Sequence, residues 1–215
     1  PVRNWFKDKF PDFTEPQKVA IPRILNGEHL LLCSPTGSGK TLTAFLTIID
    51  DLVRRSLDGS LPDAVQCVYI SPIKALANDI EKNLLGPLGE IKERYLPSRA
   101  KEIKVGLRTG DTPQSEREKM LRKPPHILIT TPESMGLGLA SKRFRPILDQ
   151  MKWFIIDEMH SLVPTKRGTH LSLSMALMDS VVSSDVQRIG ISATMEPLDA
   201  CLLYTSDAAD DLTRV

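Results

Sequence analysis

The stretch of the chain with the clearest chemical character is a run of small residues that ends in a lysine and a threonine. It reads Ser34-Pro35-Thr36-Gly37-Ser38-Gly39-Lys40-Thr41. Gly37 and Gly39 let the backbone turn tightly, so that successive N–H groups point into one concavity that suits an anion. A helix that starts near Lys40 adds the positive end of its dipole. We therefore predict a phosphate-binding turn between a strand and a helix.

Lys40 and Thr41 add a cation and a hydroxyl to this turn. The ammonium can reach the β- and γ-phosphates of a nucleotide, and the hydroxyl can bind Mg²⁺. The usual phosphate-loop pattern has a glycine where this chain has Ser34, so its first position is altered while the Gly-Lys-Thr end is intact. The alternative is a glycine-rich turn with a surface lysine. The apolar run 30–32 before the turn and the helical pattern after it favour the phosphate site.

Acidic side chains follow directly after another apolar run, Trp153–Ile156, and this cluster reads Asp157-Glu158-Met159-His160. A carboxylate at the end of a buried strand, in the same sheet as Lys40, can hold Mg²⁺ directly or through water. Glu158 can orient and deprotonate an attacking water, and His160 can hydrogen-bond across the site and sense the terminal phosphate. The alternative is a solvated turn with an unrelated histidine. We take Lys40, both carboxylates and His160 as candidate catalytic residues.

Gln17 admits two interpretations. It stands three residues after Thr14, in the Thr-Glu-Pro-Gln pattern of a helix capping box, where its side chain reaches back to the backbone of Thr14. Its carboxamide also offers a donor and an acceptor together, which suits the edge of an adenine ring. The sequence leaves both roles open. Gln17 and residues 34–41 together form the candidate nucleotide site.

Strands and helices must alternate along the chain to place these groups. Apolar strand-like runs lie at 30–33, 65–70, 103–107, 126–130, 153–156 and 186–191. Helical patterns separate them, which implies an α/β fold with a parallel β-sheet flanked by helices and joined by right-handed crossovers. Each polar cluster follows a strand. Since ligands bind at the carboxyl ends of strands in such sheets, we expect these clusters to converge on one edge.

Proline and glycine punctuate two segments of this pattern. Pro22 stands inside the helical pattern that starts at Thr14, and we expect it to kink or shorten that helix. Residues 86–99 contain glycines and prolines at several positions, and we expect this region to be looser than its neighbours.

Composition limits the class of protein. A chain of 215 residues is long enough for one α/β domain, and a net charge of +1 gives no global field, so contact with nucleic acid must come from a local surface. The three cysteines lack metal-ligand spacing, and two lie in apolar runs, which indicates reduced thiols and a cytoplasmic setting. No apolar run approaches the ~20 residues that cross a bilayer, so we expect no membrane partner.

The last fifteen residues, 201–215, do not continue the alternation of strands and helices. They resemble translated sequencing-adapter DNA. We therefore expect the native domain to occupy residues 1–200 and residues 201–215 to be a non-native tail. The alternative is a genuine acidic C-terminal helix.

The polar clusters follow one another in a fixed order. They are Gln17, residues 34–41, Ser71-Pro72-Ile73-Lys74-Ala75-Leu76, Arg108-Thr109-Gly110-Asp111-Thr112, Thr130-Thr131-Pro132-Glu133-Ser134, Asp157-Glu158-Met159-His160 and Ser192-Ala193-Thr194. This order resembles that of superfamily 2 helicase motifs. The complete sequences of these motifs resemble those of the Lhr (large helicase-related) family of ATP-dependent helicases. The resemblance covers roughly residues 5–200. It implies the first of two RecA-like domains of a phosphate-loop NTPase, with ATP in the cleft between them.

By the same resemblance, one group of residues lines the path of a nucleic-acid strand across the outer face. These residues are Ser71, Pro72, Lys74, Gly110, Asp111, Thr131, Pro132 and Glu133. The sequence indicates helix starts within residues 71–76 and 131–134. Hydroxyls, a lysine and helix N-termini suit phosphodiester oxygens, although each residue alone is equally an ordinary cap or turn. The final cluster, Ser192, Ala193 and Thr194, would couple the carboxylates to the bound strand.

The implied function is the ATP-binding part of a DNA or RNA helicase that couples hydrolysis to movement on single-stranded or partly duplex nucleic acid. The arginine that stabilises the transferred phosphate would come from the second RecA-like domain, which this chain lacks, so we expect the fragment to be inactive alone. The alternatives are a phosphate-loop NTPase of another class and a nucleotide-binding module without activity.

Overall fold

The computed structural model of the chain describes residues 1–35, 37–72, 80–183, 185–194 and 198–205, with the backbone alone for residues 198–200 and 203. Across these residues, six strands form one sheet in which every neighbouring pair is parallel. The strands are β1 (Leu30–Cys33), β2 (Cys67–Ile70), β3 (Val105–Arg108), β4 (Ile127–Thr130), β5 (Trp153–Ile156) and β6 (Gln187–Ser192). Their order is β1-β6-β5-β2-β4-β3, which confirms the predicted parallel α/β sheet.

Helices connect the strands and cover both faces of the sheet. They are α1 (Val2–Lys9), α2 (Glu15–Leu25), α3 (Lys40–Asp58), α4 (Gly86–Tyr95), α5 (Gln114–Arg122), α6 (Pro132–Ala140), α7 (Met159–Leu162), α8 (Lys166–Val181) and α9 (Leu198–Thr205). A π-helical turn, Glu81–Leu85, leads directly into α4, and a 3₁₀ turn, Arg145–Leu148, precedes β5. Buried residues of α1 to α4 pack on one face, and those of α6 to α9 pack on the other.

Alternation along the strands fixes which side chains meet each layer of helices. In β1, Leu30 and Leu32 belong to the core under α3, while Leu31 belongs to the opposite core. In β4, Leu128 likewise faces away from its neighbours Ile127 and Ile129. Since full burial of such a side chain contributes about 1.5–3 kcal/mol, each of these strands stabilises both layers of helices.

Helix α3 carries the phosphate-binding turn into the core. Its apolar residues recur at helical spacing, and among them Phe45, Ile49 and Leu52 are fully buried against the sheet. The helix ends at Gly59, whose φ of 81° is the left-handed conformation common just after a helix. The N-terminus of α3 is thereby fixed at the carboxyl edge of the sheet.

Two local expectations are corrected by the structure. Pro22 does not shorten α2, because the helix continues to Leu25 and the Asn26 N–H donates to the Pro22 carbonyl, while a kink at Pro22 stays a prediction. Residues 86–95 are helical rather than loose, because Pro87 falls in the first turn of α4, where the missing N–H costs little, and Ile91 is fully buried. The helix start that the sequence indicates within residues 71–76 lies mostly outside the described residues.

Helix α9 crosses the expected boundary at residue 200. Its Cys201, Leu202 and Tyr204 are buried against the core on the face of α8. The assignment of residues 201–215 as a non-native tail stays a prediction. Among the described residues, no helix has the length and apolar character needed to cross a membrane.

Candidate functional site

The carboxyl edge of the sheet brings the polar clusters into a row. The phosphate-binding turn follows β1, residues 192–194 end β6, Asp157 follows β5, Ser71 follows β2, Thr131 follows β4 and Thr109 follows β3. Their order along the row therefore differs from their order in the chain. The first three clusters lie together on the side of β1, and the last three lie together on the side of β3.

Glycines shape the phosphate-binding turn as the sequence predicts. Gly37 and Gly39 have φ angles of 82° and 86°, which residues with a side chain rarely adopt. A Cβ atom at Gly39 would also lie 3.0 Å from the Gln17 Nε2 atom. The hydroxyls of Ser34 and Ser38 lie 2.6 Å apart, so the serine at the altered position closes the turn on itself. Thr36 lies outside the described residues.

Lys40 is held against the turn that precedes it. Its Nζ donates to the carbonyl oxygen of Ser34 and, at 2.8 Å, to that of Pro35. Burial lowers the pKa of the Lys40 ammonium, while the nearby carboxylates of Glu158 and Asp157 act in the opposite direction. The cation therefore lies between the phosphate-binding turn and the acidic cluster.

Gln17 forms the predicted helix cap. Its Oε1 accepts a hydrogen bond from the Thr14 N–H at 3.0 Å, and the side chain is buried. The Thr14 hydroxyl donates to the Ser38 carbonyl at 3.3 Å, which ties the start of α2 to the phosphate-binding turn. The adenine-reading role of Gln17 stays a prediction.

Asp157 is oriented by a residue that the sequence analysis missed. One carboxylate oxygen accepts from the Glu158 N–H at 2.8 Å, and the other accepts from the Tyr69 hydroxyl. Tyr69 is fully buried in β2, the strand next to β5, and Asp157 is nearly so. A tyrosine in an otherwise aliphatic strand that ends at this edge was the available signal.

His160 connects the acidic cluster to residues 192–194. Its Nδ1 accepts from the Ala193 N–H at 3.3 Å and lies 3.1 Å from the Ser192 Oγ. Its Nε2 lies 3.2 Å from a carboxylate oxygen of Glu158. Because Nδ1 accepts from a backbone amide, the proton belongs on Nε2, where it is donated to Glu158. The Ser192 hydroxyl in turn donates to the Thr194 carbonyl at 2.7 Å.

Backbone geometry sets the direction of Glu158. Its φ of 52° is positive, and no other residue except glycine has this conformation among those the structure describes. Such a conformation is rare for a residue with a side chain, and it persists where the surroundings impose it. It places Glu158 at the start of α7 with its carboxylate toward His160.

A cavity of about 640 Å³ opens at this side of the edge. Its lining includes Gly37, Gly39, Lys40, Thr41, Asp157, Glu158 and Ala193, together with Lys9 at the end of α1 and Phe10 directly after it. The described residues hold no group of three acidic, histidine or cysteine side chains that would bind a metal without other ligands. One carboxylate and one hydroxyl on a shared cavity nevertheless fit Mg²⁺, which takes few protein ligands and completes its shell with phosphates and water.

The clusters on the side of β3 are held by arginines. Arg117 of α5 donates to the carbonyls of Thr112, Thr109 and Gly110 at 2.9, 3.1 and 2.8 Å. The loop that contains Gly110 and Asp111 is therefore wrapped around one guanidinium. The sequence analysis did not single out Arg117, because its spacing matches no motif.

The segment after β4 begins α6 as the sequence predicts. The Thr131 hydroxyl accepts from the Ser134 N–H at 3.3 Å and caps the helix, and Pro132 occupies its first turn. The Glu133 carboxylate forms a two-bond ion pair with Arg167, at 2.5 and 3.1 Å. Ser71, after β2, is buried and its N–H donates to the Thr130 carbonyl.

The sequence-predicted residues thus form two groups on one edge. Of the nucleotide candidates, Gly37, Gly39, Lys40 and Thr41 line the cavity, and the described strand-path candidates follow β2, β4 and β3 beyond it. Lys74 lies outside the described residues.

Comparisons with known proteins identify the family of the chain. The profile of the family described as DEAD/DEAH box helicase matches residues 14–200. The ATP-dependent helicase Lhr-Core of Methanothermobacter thermautotrophicus is 52% identical over 199 residues, which are 92% of this chain and 23% of the relative. The Lhr helicase/uracil glycosylase of Escherichia coli is 43% identical over 200 residues, covering 90% of this chain and 13% of the relative.

Solved structures give the same result. Mycobacterium smegmatis helicase Lhr, solved with ssDNA and AMP-PNP, has a TM-score of 0.85 and 43% identity, covering 97% of this chain and 26% of that one. The DEAD-box helicase Mss116, at 20% identity and a TM-score of 0.75, shares the fold. The chain spans about a quarter of the length of the curated Lhr-Core relatives that it matches. With the family profile covering most of its length, this chain belongs to the DEAD/DEAH box helicase family.

Proposed function

We propose that the chain is the ATP-binding RecA-like domain of a helicase that couples ATP hydrolysis to movement along single-stranded DNA or RNA. The observation that carries the proposal is the His160 bridge. It joins the acidic cluster beside the phosphate-binding turn to residues 192–194 on the neighbouring strand.

Nucleotide binding rests on the cavity beside the turn. The backbone N–H groups around Gly37 and Gly39 receive phosphate oxygens, and the Lys40 ammonium exchanges its loop carbonyls for the β- and γ-phosphates. Thr41 and Asp157 would hold Mg²⁺, which neutralises charge on the phosphates when bound. Tyr69 keeps the Asp157 carboxylate in the orientation this requires.

Hydrolysis needs a base for the attacking water, and Glu158 has that role in the proposal. Its carboxylate accepts a hydrogen bond from the Nε2–H group of His160, which fixes the direction of the carboxylate. The same histidine contacts Ser192 and Ala193, so a shift of residues 192–194 is felt at Glu158. This contact is a physical route between the nucleotide and a bound strand.

Nucleic-acid contact is assigned to the loops after β2, β4 and β3. Hydroxyls, backbone amides and the N-terminus of α6 suit phosphodiester oxygens, and such contacts carry little sequence information. The related Lhr structure was solved with ssDNA and AMP-PNP, which supports this class of ligand. We propose that a second RecA-like domain, which lies outside this chain, completes the motor. The three free cysteines are consistent with a reducing, cytoplasmic setting.

Two titrations of the 215-residue chain test the proposal. Calorimetry with ATP should show binding that weakens when Mg²⁺ is chelated. Anisotropy with labelled oligo-dT should show weak binding. The logarithm of the association constant should fall linearly with the logarithm of the salt concentration. Binding that is tight and indifferent to salt would contradict backbone contact. ATP binding without any affinity for oligo-dT or oligo-U would favour a phosphate-loop NTPase of another class.

A further inference from the structure

Arg167, at the start of α8, touches two of the strand-path loops at once. Its Nε and one terminal nitrogen donate to the two carboxylate oxygens of Glu133, at 2.5 and 3.1 Å. Its other terminal nitrogen donates to the Pro72 carbonyl at 2.6 Å. Pro72 follows β2 and Glu133 follows β4, and these strands are neighbours. A single guanidinium therefore joins the ends of two adjacent strands.

The corner between α7 and α8 places Arg167 there. A Cβ atom at Gly168 would lie 2.6 Å from the Leu162 carbonyl oxygen, so a residue with a side chain would force the corner open. Thr165 caps α8, and its hydroxyl accepts from the Arg167 N–H at 3.2 Å. Close packing at Gly168 and the Thr165 cap hold the base of the arginine side chain in place.

The chemistry of the contact requires an arginine. The planar guanidinium presents donors in fixed directions, so it can bind both oxygens of one carboxylate and a separate carbonyl at the same time. An ammonium in the same place is a point charge without this fork. The ion pair holds the pKa of Glu133 at about 2, so its carboxylate stays ionised and paired in the first turn of α6.

We infer that Arg167 is a positioning residue that fixes the spacing between Ser71-Pro72, directly after β2, and the N-terminus of α6, where a nucleic-acid backbone is proposed to lie. This inference rests on the proposed strand path. Two phosphates of one strand are bound together only when their two receiving loops keep a constant separation. Arg167 also neutralises the charge of Glu133, whose carboxylate would otherwise repel a phosphate at the N-terminus of α6.

The test measures oligo-dT affinity by anisotropy at several salt concentrations for Arg167→Gln and Arg167→Lys. A positioning role predicts that both variants lose about tenfold in affinity, because lysine cannot form the fork. It also predicts that the slope of affinity against salt stays as in the unsubstituted chain. Arg54→Gln is the matched control: Arg54 forms an exposed ion pair with Asp50 on α3, in the half of that helix away from the edge.

Each other outcome overturns the inference. If Arg167→Lys keeps full affinity while Arg167→Gln lowers the salt slope by about one, the arginine contacts a phosphate directly. If both variants bind as the unsubstituted chain does, the spacing does not depend on Arg167. If ATP affinity and melting temperature fall together with oligo-dT affinity, the role is general stability. If the unsubstituted chain itself does not bind oligo-dT, the result contradicts the proposed strand path, on which the inference rests.

Discussion

The two halves of the carboxyl edge are held together by different kinds of contact. On the side of β1, the phosphate-binding turn is closed by its own residues, through Ser34, Ser38 and Lys40. On the side of β3, the loops are held by Arg117 and Arg167, which come from helices outside the motifs they support. The phosphate-binding turn has a local design that a sequence pattern can capture, and the loops on the side of β3 do not.

The difference teaches how far a motif describes a site. A loop that bonds to itself needs its residues at fixed spacing, so the spacing becomes recognisable. A loop held by a distant arginine needs only small or capping residues of its own, and the arginine can stand at any position that the fold brings near. We therefore expect substitutions on the side of β1 to change the affinity for ATP, and substitutions on the side of β3 to change the affinity for oligo-dT.

The largest expected effect concerns catalysis, which neither half completes. Among the described residues, no arginine lines the cavity beside the phosphate-binding turn. An arginine near the transferred phosphate is worth about 10³–10⁵ in rate in phosphate-loop enzymes, so we expect turnover by this chain to be lower than that of a two-domain motor by this factor. Steady-state phosphate release with and without oligo-dT measures it. Robust stimulated release would contradict the need for a second domain.

Lys40→Ala should weaken Mg·ATP binding about 100-fold, because it removes the charge-assisted hydrogen bonds to two phosphates. Oligo-dT affinity should be unchanged, since Lys40 lies in the half of the edge to which we assign nucleotide binding, away from the proposed strand path. Calorimetry and anisotropy on the same preparation measure both. Lys18→Ala, which removes an exposed lysine paired with Asp12 and Glu15, is the control. Unchanged ATP affinity in Lys40→Ala would rule out its assigned role.

Tyr69→Phe should raise the Mg²⁺ concentration needed for half-maximal ATP binding by about tenfold, because Asp157 loses the hydroxyl that orients it. ATP binding without Mg²⁺ should not change. Tyr95→Phe removes a comparable hydroxyl that donates to Asp8 at the surface, and it serves as the matched control. An equal response of the two variants would show that the Tyr69 contact does not reach the metal site.

Arg117→Gln should lower oligo-dT affinity about threefold and leave ATP affinity unchanged, since the loop around Gly110 and Asp111 loses the donor for its three carbonyls. Anisotropy measures the first quantity and calorimetry the second. This result would be the opposite of that expected for Lys40→Ala, which lowers ATP affinity and leaves oligo-dT affinity unchanged. A loss of ATP affinity in Arg117→Gln would mean that the two halves are not separate.

The smallest effect on ligands is expected at the opposite edge, where His126 is fully buried and its Nδ1 accepts from the Lys104 N–H. Burial, with Lys101 and Lys104 nearby, lowers the pKa of His126 to about 4. The folded chain thus favours neutral His126, and its contribution to stability is full above pH 6.5 and is lost as the pH falls toward 4. The expected loss is about 2 kcal/mol.

His126→Gln isolates this contribution, because glutamine can accept the same hydrogen bond but does not titrate. Denaturant unfolding at several pH values should show a shallower fall in the free energy of unfolding for the variant between pH 6.5 and 4. Both ligand affinities at neutral pH should match those of the unsubstituted chain. Parallel pH profiles for the two proteins would contradict the assigned role.

The bounds of strand β5 were predictable, because Trp153–Ile156 is a continuous apolar run of the kind found in central strands that are covered on both faces. Helix α4 was not, because its two glycines and its proline indicate a loop, and only the packing of Ile91 against the core compensates for them. The same holds for α2, which continues through Pro22. Local propensity fails in both places because tertiary burial decides the conformation.

The sequence by itself determined the chemical groups and the strand ends that carry them: the phosphate-binding turn, Asp157 with Glu158 and the capped start of α6. These depend on neighbours within a few residues, and short-range spacing records them. Only the tertiary structure decided the order of the clusters along the edge, with residues 192–194 beside β1 and His160 between them and Glu158. It also decided the contacts of Tyr69, Arg117 and Arg167, because these join residues that are distant in the chain and adjacent solely through strand pairing and helix packing.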